Sequence, residues 1–312
     1  MSRNKCYICK GVTKKRKVKT RSKKIISINH CKICDYEFFP NEKKNNLIQN
    51  KLDKLRLKSA GMKLINRDQD FMNGVQQSKK YVKKHLKQKK MRILDIGCSW
   101  GYFLYLAKKR GHECYGVELN YIRRKFVNNN LKINCLKDVN KIKNLIFDKI
   151  FLFYSLEYIQ DPLNFLIKLR SLLSSGGEII IYTPNKNDHI NSLLSLKEYK
   201  DFFYEENSIN YFSLKSMKKL CKKISKKHKI ELIQGYSFIN LINWFFHKKP
   251  FSSRYVGEDK FVEELNNNIS FKKLKYKSDI ILLKKLTYNL NNYFKKFLVR
   301  NKIANIIVVK IR

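Results

Sequence analysis

The residue types able to do chemistry gather at a few places along this 312-residue chain. Cys6-x-x-Cys9 and Cys31-x-x-Cys34 form two matching knuckles, 21 residues apart. Each knuckle is a tight turn that can offer two thiolates to one cation, and four thiolates complete a tetrahedron around Zn²⁺. Such a site has no open position, so its metal would be structural. Disulfides and free thiols are the other readings of the same four residues; zinc is favoured because reducing compartments do not sustain disulfides. The remaining cysteines, Cys98, Cys114, Cys135 and Cys221, stand singly in apolar patterns and read as small core residues. A second group lies in Ile93-Leu-Asp-Ile-Gly-Cys-Ser-Trp-Gly-Tyr102, where Asp95, Gly97, Ser99 and Gly101 alternate. Another acid, Glu118, closes the apolar run Cys114-Tyr-Gly-Val-Glu118.

Position gives these acids a meaning. Ile93, Leu94 and Ile96 read as a buried strand, the two glycines break it, and Phe103 to Arg110 has helical spacing. Strand, tight turn and helix open a nucleotide-binding α/β unit. The usual dinucleotide fingerprint is Gly-x-Gly-x-x-Gly, and this turn is different. A carboxylate at the strand end repels a pyrophosphate. It suits a ligand with an ammonium group and no phosphate, and S-adenosylmethionine is such a ligand. Glu118 stands where a carboxylate takes ribose hydroxyls.

The stretch Ile93 to Asn120 resembles the class I S-adenosylmethionine-dependent methyltransferases. Phe147-Asp-Lys-Ile-Phe-Leu-Phe-Tyr-Ser-Leu-Glu-Tyr-Ile-Gln-Asp-Pro162 is similar to that family's fourth strand and the segment after it. Ser174-Ser-Gly-Gly-Glu-Ile-Ile-Ile-Tyr-Thr-Pro-Asn185 is similar to its fifth. The resemblance implies that Asp95 and the Gly97–Gly101 turn, Ser99 included, hold the methionine end of the donor. It implies that Glu118, with Leu119, holds the ribose, that Asp138 and Val139 flank the adenine, and that Tyr154 and Ser155 line the methionine side. The acceptor side departs from the pattern. Relatives often carry Leu-Glu-His after the fourth strand, and this chain has Leu156-Glu157-Tyr158. A Glu-x-x-Glu-His set that binds divalent metal in some relatives is missing, as is a His before the Phe212-Ser213 pair. Glu157, Tyr158 and His189 remain as candidate catalytic groups, and His189 by itself reads as a surface loop residue.

The elements that must position these residues alternate. Strands are expected near 92–96, 114–118, 132–136, 149–154 and 178–183, with helices near 101–110, 121–130, 139–145 and 161–173. Alternation of this kind gives a parallel sheet covered by helices on both faces, with ligand beyond the carboxyl ends of the strands. Asp95, Glu118, Asp138 and Ser155 all fall at such ends. Ile25-Ile-Ser-Ile reads as a strand of the cysteine module, Ser213 as the cap of a further helix, and 229–237 and 304–312 as late strands. Val75, Val82 and Leu86 form one apolar stripe of a helix beside the first strand. The resemblance implies a seven-stranded sheet with an antiparallel last strand. The expected class is therefore α/β, a Rossmann-like seven-stranded methyltransferase sheet plus a small N-terminal zinc ribbon. The expected units are a ribbon over 1–40, a helical connector over 41–90 and a methyltransferase domain over 91–312 with a helical insertion near 238–303.

Composition bounds the partners. The formal net charge is +43, and 55 of the 68 cations are lysine. Lysines are scattered through every segment, whereas selected phosphate-binding faces also favour Arg. The charge thus reads as compositional drift ahead of a nucleic-acid footprint, and specific nucleic acid is not expected. No apolar run approaches the ~20 residues that span a bilayer. The first residues have no apolar signal region, so the expected location is cytoplasmic. Trp244, Phe245, Phe246 and Phe251 form an aromatic cluster that can cap a pocket, make peripheral membrane contact or simply pack. A ribbon joined to this domain resembles methyltransferases of sugar, cell-surface glycan and secondary-metabolite pathways. O-methylation of a small molecule, sugar or glycan intermediate is the leading expectation. An RNA methyltransferase and a non-catalytic S-adenosylmethionine-binding protein are the alternatives.

Overall fold

The computed structural model describes residues 5–39, 67–86, 89–236, 238–248 and 277–312. In chain order the elements are β1 (Lys14–Lys19), β2 (Ile25–Cys31), β3 (Tyr36–Phe38), α1 (Arg67–His85), β4 (Arg92–Ile96) and α2 (Tyr102–Lys109). There follow β5 (Glu113–Val117), α3 (Tyr121–Asn129), β6 (Asn134–Leu136), β7 (Phe147–Phe153), α4 (Pro162–Ser171) and β8 (Leu173–Pro184). The last are α5 (Lys197–Phe203), β9 (Asn210–Tyr211), α6 (Leu214–Ile224), β10 (His228–Ile233), α7 (Phe238–His247), α8 (Lys277–Arg300) and β11 (Ile306–Ile311).

Seven strands pair in the order β10-β11-β8-β7-β4-β5-β6. From β6 to β8 neighbours run parallel, and β11 is antiparallel to both β8 and β10. The chain order reverses beside β4, which makes the carboxyl end of that strand the topological switch point. Ile150, Phe151 and Leu152 are all fully buried on β7. A continuous apolar run is what a parallel strand covered on both faces requires.

Local chemistry sets the helix starts. The Asn120 side chain accepts from the Arg123 amide, and Asp161 accepts from Asn164 ahead of Pro162. Ser213 and Ser216 close a reciprocal capping box on α6. These caps satisfy orphan amides of the first turn. The expected helix over 139–145 is only a 3₁₀ turn, Val139–Lys141, capped by Asp138. Val139, Ile142 and Ile146 keep a helical spacing, but Asn144 takes a positive φ of 55° that ends any helix. The expected 229–237 strand stops at Ile233.

The cysteine module has its own antiparallel sheet, ordered β1-β2-β3-β9. The basic run Lys14–Lys19 is its edge strand, with only Val18 buried. Lysines there keep the open edge from pairing further. The fourth strand, β9, comes from far along the chain and pairs Tyr211 with Glu37. Glu37 is buried and accepts from Arg16 at 3.0 Å and from the Tyr204 hydroxyl at 2.8 Å, with Lys186 Nζ at 3.3 Å. Lys186 also meets Asp35 at 2.7 Å. A buried carboxylate is tolerable only with such partners. Tyr36 and Phe38 stack beside Phe212, so one apolar core runs from the cysteines into the large sheet. Of the expected connector and insertion, 41–66 and 249–276, Phe251 included, lie outside the described residues.

Candidate active site

The loop after β4 is built for close approach. Gly97 and Gly101 have φ of 74° and 75°, and Ser99 follows them into positive φ at 53°. A Cβ on Gly97 would sit 2.9 Å from the Ser155 Cβ. That crowding, added to the φ, leaves glycine alone suitable there. The amides of Gly97 and Cys98 both donate to the Val117 carbonyl, at 2.7 and 3.1 Å, so the turn is tied to β5. Glu118 closes the loop from the other side. Its carboxylate accepts from the Ser99 amide at 2.9 Å and the Asn120 amide at 2.8 Å.

Asp95 lies behind this turn, 3% exposed. Its Oδ1 has no hydrogen-bond partner among the described residues. Burial, with Glu118 adding repulsion, pushes its carboxyl up to about 8. A buried carboxylate without a counter-charge is costly. A cationic group on a ligand would supply the counter-charge this carboxyl lacks. The Ser155 hydroxyl is buried and likewise unpartnered among the described residues.

A cavity of about 630 Å³ opens above the loop. Its walls include Gly97, Ser99, Glu118, Leu119, Asp138, Val139, Tyr154, Ser155 and Tyr158. Asp95 and Gly101 stand behind the wall, Gly101 packed on Val127 and Leu131. Asp138 is turned to solvent and spends one oxygen on the Asn140 amide at 2.8 Å, while Val139 is buried. Asn120, Arg123, Phe165 and Asn207 also line the cavity and were not foreseen. Asn120 was within reach of sequence reasoning as the residue before a helix.

A second, smaller recess of about 290 Å³ adjoins the first, and both share Tyr154 and Tyr158. Glu157, Asp188, Tyr199, Phe202, Tyr211 and Arg21 are among its walls. Glu157 is 6% exposed and accepts from the Thr183 hydroxyl at 3.3 Å. Burial raises its carboxyl to about 8. Asp188 is raised to about 7 by burial, against the pull of the Asn191 amide and the Tyr199 hydroxyl that donates to it. His189 is not the exposed loop residue its sequence setting suggests. It is fully buried against Tyr236 and Phe294, off the recess wall, and burial drives its imidazole down to about 3.

Arg21, at the β1–β2 turn, brings the cysteine module to this recess. Its guanidinium lies 3.8 Å over the Phe202 ring, Nε donates to the Phe202 carbonyl at 3.1 Å, and Nη1 meets Glu205 at 2.6 Å. In the module itself, Cys6 and Cys34 Sγ are 3.6 Å apart and Cys9 and Cys31 Sγ 3.4 Å, with all four within 4.8 Å. Thiolates about 2.3 Å from a tetrahedral Zn²⁺ stand nearly at that separation. The donor set and its spacing therefore fit zinc.

Residues 72–224 match a family model described as a methyltransferase domain. The chain carries an S-adenosylmethionine-dependent methyltransferase domain, of the class I fold its sheet order defines. A tRNA U34 carboxymethyltransferase of Campylobacter hominis is 30% identical over 102 residues, covering 30% of this chain and 35% of that protein. This chain thus spans about a third of that relative. Among solved structures, an S-adenosylmethionine-dependent methyltransferase from Archaeoglobus fulgidus is 18% identical, with a TM-score of 0.47 over 76% of this chain and 94% of the other. A plantazolicin methyltransferase in complex with a pentazolic desmethylPZN analog and SAH is 19% identical, with a TM-score of 0.46 over 86% and 94%.

Proposed function

We propose that the chain methylates an oxygen of a small molecule, sugar or cell-surface glycan intermediate. The observation that carries this reading is the meeting of the two recesses at Tyr154 and Tyr158. The larger one, with Asp95 behind it and Glu118 on its rim, takes the donor. The smaller one, of about 290 Å³, has room for one sugar-sized or aromatic group. Methyl transfer is an in-line displacement: the new O–C bond forms as the S–C bond breaks, and S-adenosylhomocysteine leaves. The donor is already activated by its charge, so alignment across the shared tyrosines is the main task of the protein. The acceptor hydroxyl must lose a proton, and Glu157 is our candidate to receive it. Cys6, Cys9, Cys31 and Cys34 would hold a zinc ion with a structural part only.

A second reading is an RNA methyltransferase, favoured by the stretch shared with the tRNA enzyme and by the charge of +43. Arg21 is the one Lys or Arg among the described residues lining the smaller recess, and it is spent on Glu205 at 2.6 Å, which weighs against a phosphate-rich acceptor there. The test is transfer of labelled methyl from S-adenosylmethionine into separated RNA, nucleotide-sugar and glycolipid fractions. Label confined to a non-nucleic fraction supports the proposal, and label at a defined RNA position promotes the second reading.

A further inference from the structure

Helix α8 carries two different stripes. Asn291, Phe294 and Leu298 are buried, and Phe294 packs on Phe238 of α7 with ring centroids 5.2 Å apart. Leu286, Leu290, Tyr293 and Phe297 recur at helical spacing on another face and are 47–73% exposed. On α7, Phe245 and Phe246 are 53% and 70% exposed, whereas their neighbour Trp244 is buried. Apolar side chains scattered singly on a surface need no explanation, but a cluster dominated by aromatics does.

The charge around this face is mostly of one sign: α8 carries six Lys or Arg against one acid, Asp279. Residues 280–312 contain eight Lys or Arg and no Asp or Glu, and 238–248 contain no acid either. Lys248, Lys296, Arg300 and Lys302 are exposed. Aromatic and leucine side chains beside a basic surface are the signature of an element that lies in a membrane interface, its cations on anionic headgroups. No described helix is long and apolar enough to cross a bilayer. The face is therefore suited to lie on a membrane and not to span one.

Position ties the face to the smaller recess. Trp244 packs edge-on to Tyr199 at 4.9 Å and to Phe202 at 5.1 Å, and both of those rings line the recess. We propose that the exposed faces of α7 and α8 dock on an anionic lipid surface and bring the recess beside it. The acceptor class that fits is an amphiphile whose apolar end stays in the bilayer while its polar end enters the recess. That last step rests on the acceptor reading above; docking itself does not.

The experiment is flotation of the purified full chain with vesicles of phosphatidylcholine alone and of phosphatidylcholine with phosphatidylglycerol. Donor binding by calorimetry is run beside it. Flotation should require the anionic lipid, weaken with salt, and fall about tenfold in Phe246→Glu with Tyr293→Glu, two exposed changes. Donor affinity should be unchanged in that variant, which separates failure of docking from failure of the donor site. Absence of flotation with anionic vesicles would overturn the proposal. So would flotation that the double variant leaves intact, a concentration-dependent dimer dissolved by the same substitutions, or their selective loss of RNA affinity. A milder variant, Phe246→Ser, keeps the test open if the charged pair fails to fold.

Discussion

Arg21 and Glu205 meet at 2.6 Å across the junction between the cysteine module and the methyltransferase domain. The pair stands at the wall of the smaller recess, beside the Phe202 ring that the same guanidinium covers. A module that could have been a separate appendage thus shares a wall with the site.

Arg21→Ala should leave donor affinity and metal content unchanged and raise KM for the acceptor. Arg21 is about half exposed, so its ion pair is screened by solvent. Stability should fall by only about 1 kcal/mol, the combined scale of an exposed pair and a cation–π contact. Urea unfolding checks the stability and a titration of acceptor checks KM. Loss of donor affinity would show that Arg21 acts on the fold and not on the recess.

Metal analysis should find about one zinc per chain, lost when Cys31→Ser and Cys34→Ser are made together. Because β3 pairs with β9, the damage should spread into the smaller recess more than into the donor cavity. Hydrogen exchange should therefore rise at 204–212 and stay low at 93–101. Retention of zinc in the double variant would refute the four-cysteine site.

Asp95 should release a proton when S-adenosylmethionine binds. Its carboxyl, held up to about 8 by burial and Glu118, is mostly neutral at pH 7, and the arriving cation should ionise it. The heat of binding should then depend on the ionisation enthalpy of the buffer, and Asp95→Asn should remove that dependence. Glu118→Gln should weaken the donor by about 1–3 kcal/mol, the scale of a hydrogen bond to a charged group.

The side of the candidate site that we propose for the donor was legible because its signature is local. Asp95, Gly97, Ser99 and Gly101 lie within one strand and its turn, and Glu118 ends the neighbouring strand. Periodicity finds both. Of the smaller recess the sequence pointed only to Tyr154, Glu157 and Tyr158, which follow one another after β7; Arg21, Asp188, Tyr199 and Tyr236 come from separate segments with no common pattern. The two residues of β9 are too few for any period to show. His189 misled for the same reason: its burial comes from Tyr236 and Phe294, both distant in sequence.

The pH dependence has a definite sign. Burial raises the Glu157 carboxyl from 4.5 to about 8, so the folded chain holds a proton there that the unfolded chain has lost. Its contribution to stability is complete below pH ~4.5 and disappears as pH rises through about 8. Activity should move the opposite way. If Glu157 receives the acceptor proton, kcat/KM climbs through the same range, and Glu157→Gln flattens that limb while donor affinity persists.

The most direct test of the central claim is transfer of labelled methyl by the wild type and by Glu157→Gln, scored in separated RNA, small-molecule and glycolipid fractions. The account predicts label in a non-nucleic fraction, and a large loss of that label in the variant even though it still binds S-adenosylmethionine. Label at a defined RNA position, or the same small-molecule label in both proteins, would contradict it.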